Sequence, residues 1–143
     1  MSSAKILKAA KEDIVARLKT IPNLKIFKSL TDEEELTVIG NGNSFTPYVI
    51  ISFSGTSKMP GRYRAMSGAR NSGEKVSIVV RCVGHTADVA EDVYVAVHDL
   101  LLGYQPEGCS EISQALYFST GAVSTNGSPA RYSEIQSYEM SVS

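Results

Sequence analysis

The sequence has almost no charge imbalance, no long apolar run, few cysteines and few histidines, and each shortage excludes something. Fourteen Lys and Arg stand against fifteen Asp and Glu, a formal net charge of -1. Nucleic acid and anionic membranes attract chains with a large cationic excess, so any basic site here has to be local. No apolar stretch approaches the roughly 20 residues needed to cross a bilayer, and no apolar run follows a basic N-terminal region. The expectation is a soluble chain kept in the cytosol, with no membrane partner. Cys82 and Cys109 lie in separate segments and do not make a disulfide framework, so both are expected to be reduced thiols. There is no internal repeat and no low-complexity tract beyond one Gly/Ser/Arg-rich stretch.

The same scarcity limits chemistry. A nucleophilic triad needs a Ser or Cys beside a His that a carboxylate orients, but neither His85 nor His98 stands in a nucleophile motif. His85 and Asp88 are explained more cheaply as polar residues bracketing a helix cap at Thr86. Cys82, His85, His98 and Cys109 include one Cys-x-x-His pair, but the second half lacks a tight ligand pair and Cys82 belongs to the inward set of its strand. The acidic run Asp32 to Glu35 is contiguous, whereas a calcium loop alternates its ligands around a glycine; a solvated acidic turn is expected. Neither a phosphate-binding loop nor a dinucleotide fingerprint occurs between a strand and a helix. The reading is a protein without a catalytic group, cofactor or metal.

What is present is an ordinary globular composition, 43% apolar and 20% charged over 143 residues, which points to a single domain spanning 1–143. From Ser3 to Lys19, Ile6, Leu7, Ala10, Ile14 and Leu18 recur at helical spacing opposite Lys5, Lys8, Glu12 and Lys19. Ser2 or Ser3 can cap this helix, and Pro22 follows its end. Leu24 to Ser29 reads as a short strand, and Leu36, Val38 and Ile39 suggest another beyond the acidic run. Tyr48 to Ser54 places Val49, Ile51 and Phe53 on one face with Ile50 on the other. Val76, Ile78, Val80 and Cys82 alternate in a strand that pairs with it.

Thr86 opens a second helix, with Asp88, Glu91 and Asp92 near its positive end, and Gly103 closes it. Val89, Ala90, Val93, Val97, Leu100 and Leu101 share its broad core face, while Val95 and Leu102 project from the back, close to Glu91 and His98. The tail, with Ala115 to Ser119, the Asn126-Gly127 turn and alternation from Arg131 to Val142, has the pattern of a hairpin. The expected fold is α+β: a mainly antiparallel sheet with two amphipathic helices packed on one face and a C-terminal β-hairpin.

Two features exceed what such a fold needs. Residues 55–74 form a long loop in which Lys58, Arg62, Tyr63, Arg64 and Arg70 mix with Gly, Ser and Met. Long loops without structure are uncommon in compact domains unless they bind something, and a basic one suits an acidic protein surface or DNA. Val95 and Leu102 make a second, weaker apolar seam suited to a subunit contact.

The order of elements, with a helix ending in Leu101-Leu102-Gly103-Tyr104-Gln105-Pro106 just before the C-terminal hairpin, resembles the tail terminator proteins of long-tailed bacteriophages. In that family the helix before the hairpin often ends in a similar Leu-x-Gly-aromatic-x-Pro phrase, and the preceding sheet matches Pro47 to Ser54 and Val76 to Val83. Physically the phrase is a helix stop: a left-handed Gly103, a Tyr104 that packs back, and a Pro106 that blocks continuation. The resemblance implies a structural virion protein, assembled in the host cytoplasm into a homo-oligomeric, commonly hexameric ring. Such a ring caps the head-facing end of the tail tube and joins it to neck or connector proteins. It would place Lys58, Arg62, Tyr63, Arg64 and Arg70 toward the tube or the lumen through which DNA passes, and Val95 and Leu102 between subunits. Other readings are a different neck or head-completion protein, or a small nucleic-acid-binding module that grips phosphates with the same arginines and stacks Tyr63 on a base.

Overall fold

Period-two alternation sets the centre of the fold. The computed structural model describes residues 3–29, 32–40, 45–57, 74–115, 123–125 and 131–142. In it Val76, Ile78, Val80 and Cys82 of β3 (Glu74–Gly84) are all buried on one face. β3 pairs antiparallel on both sides, with β2 (Tyr48–Ser57) through Ile51↔Val80 and with β6 (Arg131–Val142) from Glu74↔Val142 to Gly84↔Tyr132. β1 (Lys25–Phe27) runs parallel to β2, with Ile26 opposite Val49. β4 (Ser113–Gln114) and β5 (Val123–Thr125) both pair with β6. The described strands form one mixed, six-stranded sheet in the order β1-β2-β3-β6-β4, with β5 also on β6.

Two helices lie on the face that carries Val80. α1 (Ser3–Leu18) buries Ala10, Ile14 and Leu18 at four-residue spacing, and α3 (Ala87–Leu101) buries Ala90, Val93, Val97 and Leu101. Apart from Ala90, these side chains close on Val49, Ile51, Ile78, Tyr138 and Met140 in one core, where each large aliphatic side chain contributes about 1.5–3 kcal/mol by leaving water. The Thr86 hydroxyl caps α3 by accepting from Val89 N at 3.2 Å. The start of α3 sits so close to β3 that a Cβ on Gly84 would lie 2.8 Å from Ala90 N.

The helix stop after α3 also joins the two helices. Leu102 N donates to His98 O at 3.0 Å and Tyr104 N to Leu101 O at 3.0 Å, with Gly103 in the left-handed region at φ +82. Tyr104 then donates to Asp13 Oδ2 of α1 at 2.5 Å, and the Arg17 guanidinium lies 4.2 Å over its ring. Arg17 Nε in turn donates to Leu100 O at 2.8 Å, placing a cation on the negative end of α3.

The acidic run does not form a solvated turn, and Leu36 to Ile39 is not a strand. Asp32–Ile39 is an additional helix, α2, and it packs against the opposite face of the sheet. Carboxylates at the start of a helix favour its positive end, and the spacing of Glu35, Val38 and Ile39 puts them on one side. Ile39 joins Phe45, Tyr48 and Val83 in a second apolar cluster with Phe27 and Ile50. Thus two helices cover one sheet face, as expected, and a short one covers part of the other.

β2 continues through Ser57 and β3 begins at Glu74, so both ends of the 55–74 stretch belong to strands. Lys58, Arg62, Tyr63, Arg64 and Arg70, like the Asn126-Gly127 turn, lie outside the described residues.

Candidate interaction surface on the third helix

A helix packed on a sheet by Ala90, Val93, Val97 and Leu101 presents the opposite arc to solvent, and Val95 stands at its middle. Val95 is 49% exposed and Leu102 46%, the only large hydrophobics in this condition among the described residues. Seven residues apart, they lie on the same side of the helix about 10 Å from one another along its axis. Asp88, Glu91, Asp92 and Asp99 surround them, all exposed. α3 contains no Lys or Arg, and the ion pairs found among the described residues involve none of these four acids. The arc is therefore a strip of water-exposed apolar surface edged by four carboxylates that make no ion pair among the described residues.

The strip is firmly mounted. His98, three residues after Val95 and four before Leu102, has its Nδ1 2.7 Å from the hydroxyl of fully buried Tyr138 on β6. The His98 ring stands 5.3 Å from that of Tyr94 and 5.7 Å from that of Tyr138. Tyr94 donates to Gln136 Oε1 at 3.4 Å, an acceptor that also receives Gln114 Nε2 at 3.3 Å, while Gln136 Nε2 donates to Ser137 O at 2.9 Å. Beside the strip, Asp92, Val93 and Ala96 form one wall of a groove of about 430 Å³ whose other wall is Ile21 to Leu24.

The remaining reactive groups are dispersed. Cys82 is buried on the inner face of β3; burial and the nearby Glu134 carboxylate push its thiol up to about 12, leaving it protonated at neutral pH. Cys109 is buried where its backbone bridges Val142. His85 lies between β3 and the Thr86 cap, its ring edge-on to Phe45, while His98 is on α3. Among the described residues no three His, Cys, Asp or Glu side chains come together as metal ligands would. Burial first of all raises the Tyr138 phenol above its ordinary value, and it meets His98 as a neutral hydroxyl.

One polar centre was not anticipated from sequence. Glu35 of α2 is buried and its Oε1 meets Arg81 Nη2 at 3.1 Å, Arg131 Nη1 at 3.1 Å and the Tyr48 hydroxyl at 2.5 Å. Burial acts to raise this carboxyl's pKa, but the Tyr48 and Arg81 hydrogen bonds and the two guanidinium charges outweigh it and hold the group below the usual range. The available sequence signal was Arg81 between Val79 and Val83, a cation on a largely apolar strand face that requires a buried anion. Compared with known proteins, the chain matches no family model and no curated protein.

Proposed function

We propose that this chain is a self-associating structural subunit whose α3 strip is a subunit contact, and that the assembly is the ring that caps the head-facing end of a bacteriophage tail tube. The observation that carries the self-association reading is the exposure of Val95 and Leu102 on one rigidly held helix face. An isolated monomer gains nothing by leaving two large apolar side chains half in water beside four exposed carboxylates, whereas an interface buries the first and neutralises the second. The phage assignment is supported by the order of elements and by the Leu101 to Pro106 helix stop just ahead of a C-terminal antiparallel strand pair. On this reading the protein works by geometry rather than by reaction: it ends tube elongation, meets the tube protein on one side and neck proteins on the other, and resides in the virion after assembly in the host cytoplasm. Closure into a ring requires head-to-tail contacts with a fixed rotation per subunit.

Solution mass decides the matter. The purified chain is measured alone and mixed with the tail-tube protein from the same source. A ring in either condition supports the reading, including one that forms only on the tube, where a template raises local concentration. A strict monomer in both overturns it. Steeply salt-dependent DNA binding by such a monomer would favour the nucleic-acid-binding alternative through Arg62, Arg64 and Arg70.

A further inference from the structure

We propose that His98 gates the α3 strip by its protonation state, so that the contact forms with the neutral imidazole and weakens as the ring takes up a proton. The inference rests on the self-association reading and names how that contact is regulated. His98 is half-buried, three residues after Val95 and four before Leu102, a spacing that puts all three on one side of the helix. The hydroxyl of fully buried Tyr138 has His98 Nδ1, at 2.7 Å, as its one hydrogen-bond partner among the described residues. A buried donor without an acceptor is costly, so the phenol donates and Nδ1 accepts. The imidazole proton therefore sits on Nε2, which makes no hydrogen bond among the described residues and is open to water.

Taking up a second proton reverses this arrangement. Nδ1–H then donates to the phenol oxygen, and the phenol hydrogen is left in the core without an acceptor among the described residues. The new charge also has to leave water when the strip is covered. Neighbouring groups do not titrate in its place. Burial raises the phenols of Tyr94 on α3 and Tyr138 on β6 and pushes the Cys82 thiol on β3 up to about 12, so all three stay neutral around neutral pH. The nearby carboxyl groups are Asp99 on α3 and Glu134 on β6, the latter close to Tyr94. From α1, Arg17 and Asp13 engage the end of α3 at Leu100 and Tyr104. In the free chain Asp99, with Asp88, Glu91 and Asp92 further along the arc, attracts an imidazolium; a partner that neutralises these acids removes the attraction. Protonation is thus favoured in the free chain and opposed in the contact. Histidine is the side chain that changes charge between about pH 5 and 8, so association is strongest at the upper end of that window and is lost as pH falls through it.

Two measurements on the full chain test this. Nuclear magnetic resonance of isotope-labelled protein at about pH 8 should find the His98 proton on Nε2, with the signal assigned by its loss in His98→Gln. Tyr138→Phe, which removes the phenol, should move the His98 titration upward by about one pH unit. Sedimentation between about pH 8 and about pH 5.5 should find wild-type self-association weakened about tenfold on acidification, and that of His98→Gln, whose side chain does not titrate, by less than about twofold. A His98 proton on Nδ1, or a titration that Tyr138→Phe leaves in place, overturns the gate. Wild-type association that is unchanged over this range, or a His98→Gln chain that keeps the same pH dependence, overturns it while leaving the subunit contact intact. A wild type that is monomeric at both ends of the range, with and without the tube protein, overturns the gate and the self-association reading together.

Discussion

The Tyr48 hydroxyl donates to Glu35 Oε1 at 2.5 Å, linking a strand on the sheet's second face to a helix that periodicity alone did not reveal. With Arg81 and Arg131 on the same carboxylate, this contact fixes α2 in place. Glu35→Ala leaves two partly buried guanidiniums and a phenol without their acceptor, and stability is expected to fall by about 2–4 kcal/mol. Chemical denaturation measures it. A loss confined to a few tenths of a kcal/mol would mean that solvent reaches Arg81 and Arg131 and that the network is ornamental.

The same carboxylate gives a pH signature. Its folded pKa is depressed below the ordinary value of 4.5, so its stabilisation is complete above that value and is lost as pH falls through the folded pKa. Comparison with Glu35→Gln isolates this contribution. The stability gap between wild type and variant should be constant at neutral pH and close progressively below about pH 4.5, where protonated Glu35 resembles Gln. A gap that widens on acidification would contradict the sign.

Sequence legibility followed how local each determinant is. α1, β3 and α3 were readable because the buried sets Ala10/Ile14/Leu18, Val76/Ile78/Val80/Cys82 and Val93/Val97/Leu101 carry their periods within a few residues. The outward position of Val95 and Leu102 followed from the same geometry. α2 was missed because an acidic run looks solvated until its cations are known, and Arg81 lies 46 residues further on. The parallel pairing of β1 with β2 was equally hidden, since the direction of a strand depends on the route of the chain between strands rather than on side-chain alternation. The bonds from Tyr104 to Asp13 and from Arg17 to Leu100 join residues 91 and 83 positions apart, so the helix stop was legible while its second role of tying α1 to α3 was not.

At Gly84 the constraint is steric. An added Cβ would stand 2.7 Å from Val89 Cγ1 and 2.8 Å from Ala90 N. Gly84→Ala must push α3 away from β3, and a loss of about 1–3 kcal/mol is expected in thermal or denaturant unfolding. Val89→Ala in the same chain should recover only part of it, because the backbone nitrogen of Ala90 remains in the way. Full recovery would show that the side chain alone sets the spacing.

Tyr138→Phe probes the mount beneath the interaction strip. The substitution keeps the ring in the core but removes the hydroxyl 2.7 Å from His98 Nδ1. A part-buried nitrogen without its partner costs about 1–2 kcal/mol, measurable as a lowered denaturation midpoint. An unchanged midpoint would indicate that water takes the place of the phenol and that α3 does not depend on this anchor.

Val95→Asp and Leu102→Asp separate folding from association. Both side chains are about half exposed, and neither belongs to the core between α3 and the sheet. Stability should therefore change by no more than about 0.5 kcal/mol, with a slightly larger effect for Leu102→Asp, since a carboxylate at the end of α3 opposes the helix dipole. Association responds differently, because each substitution adds a negative charge to a strip that already holds Asp92 and Asp99 and removes the apolar surface an interface would bury. Sedimentation should find folded chains that no longer assemble. If both variants assemble as the wild type does, the strip is not a subunit contact, and the exposure of Val95 and Leu102 must be assigned to some other partner.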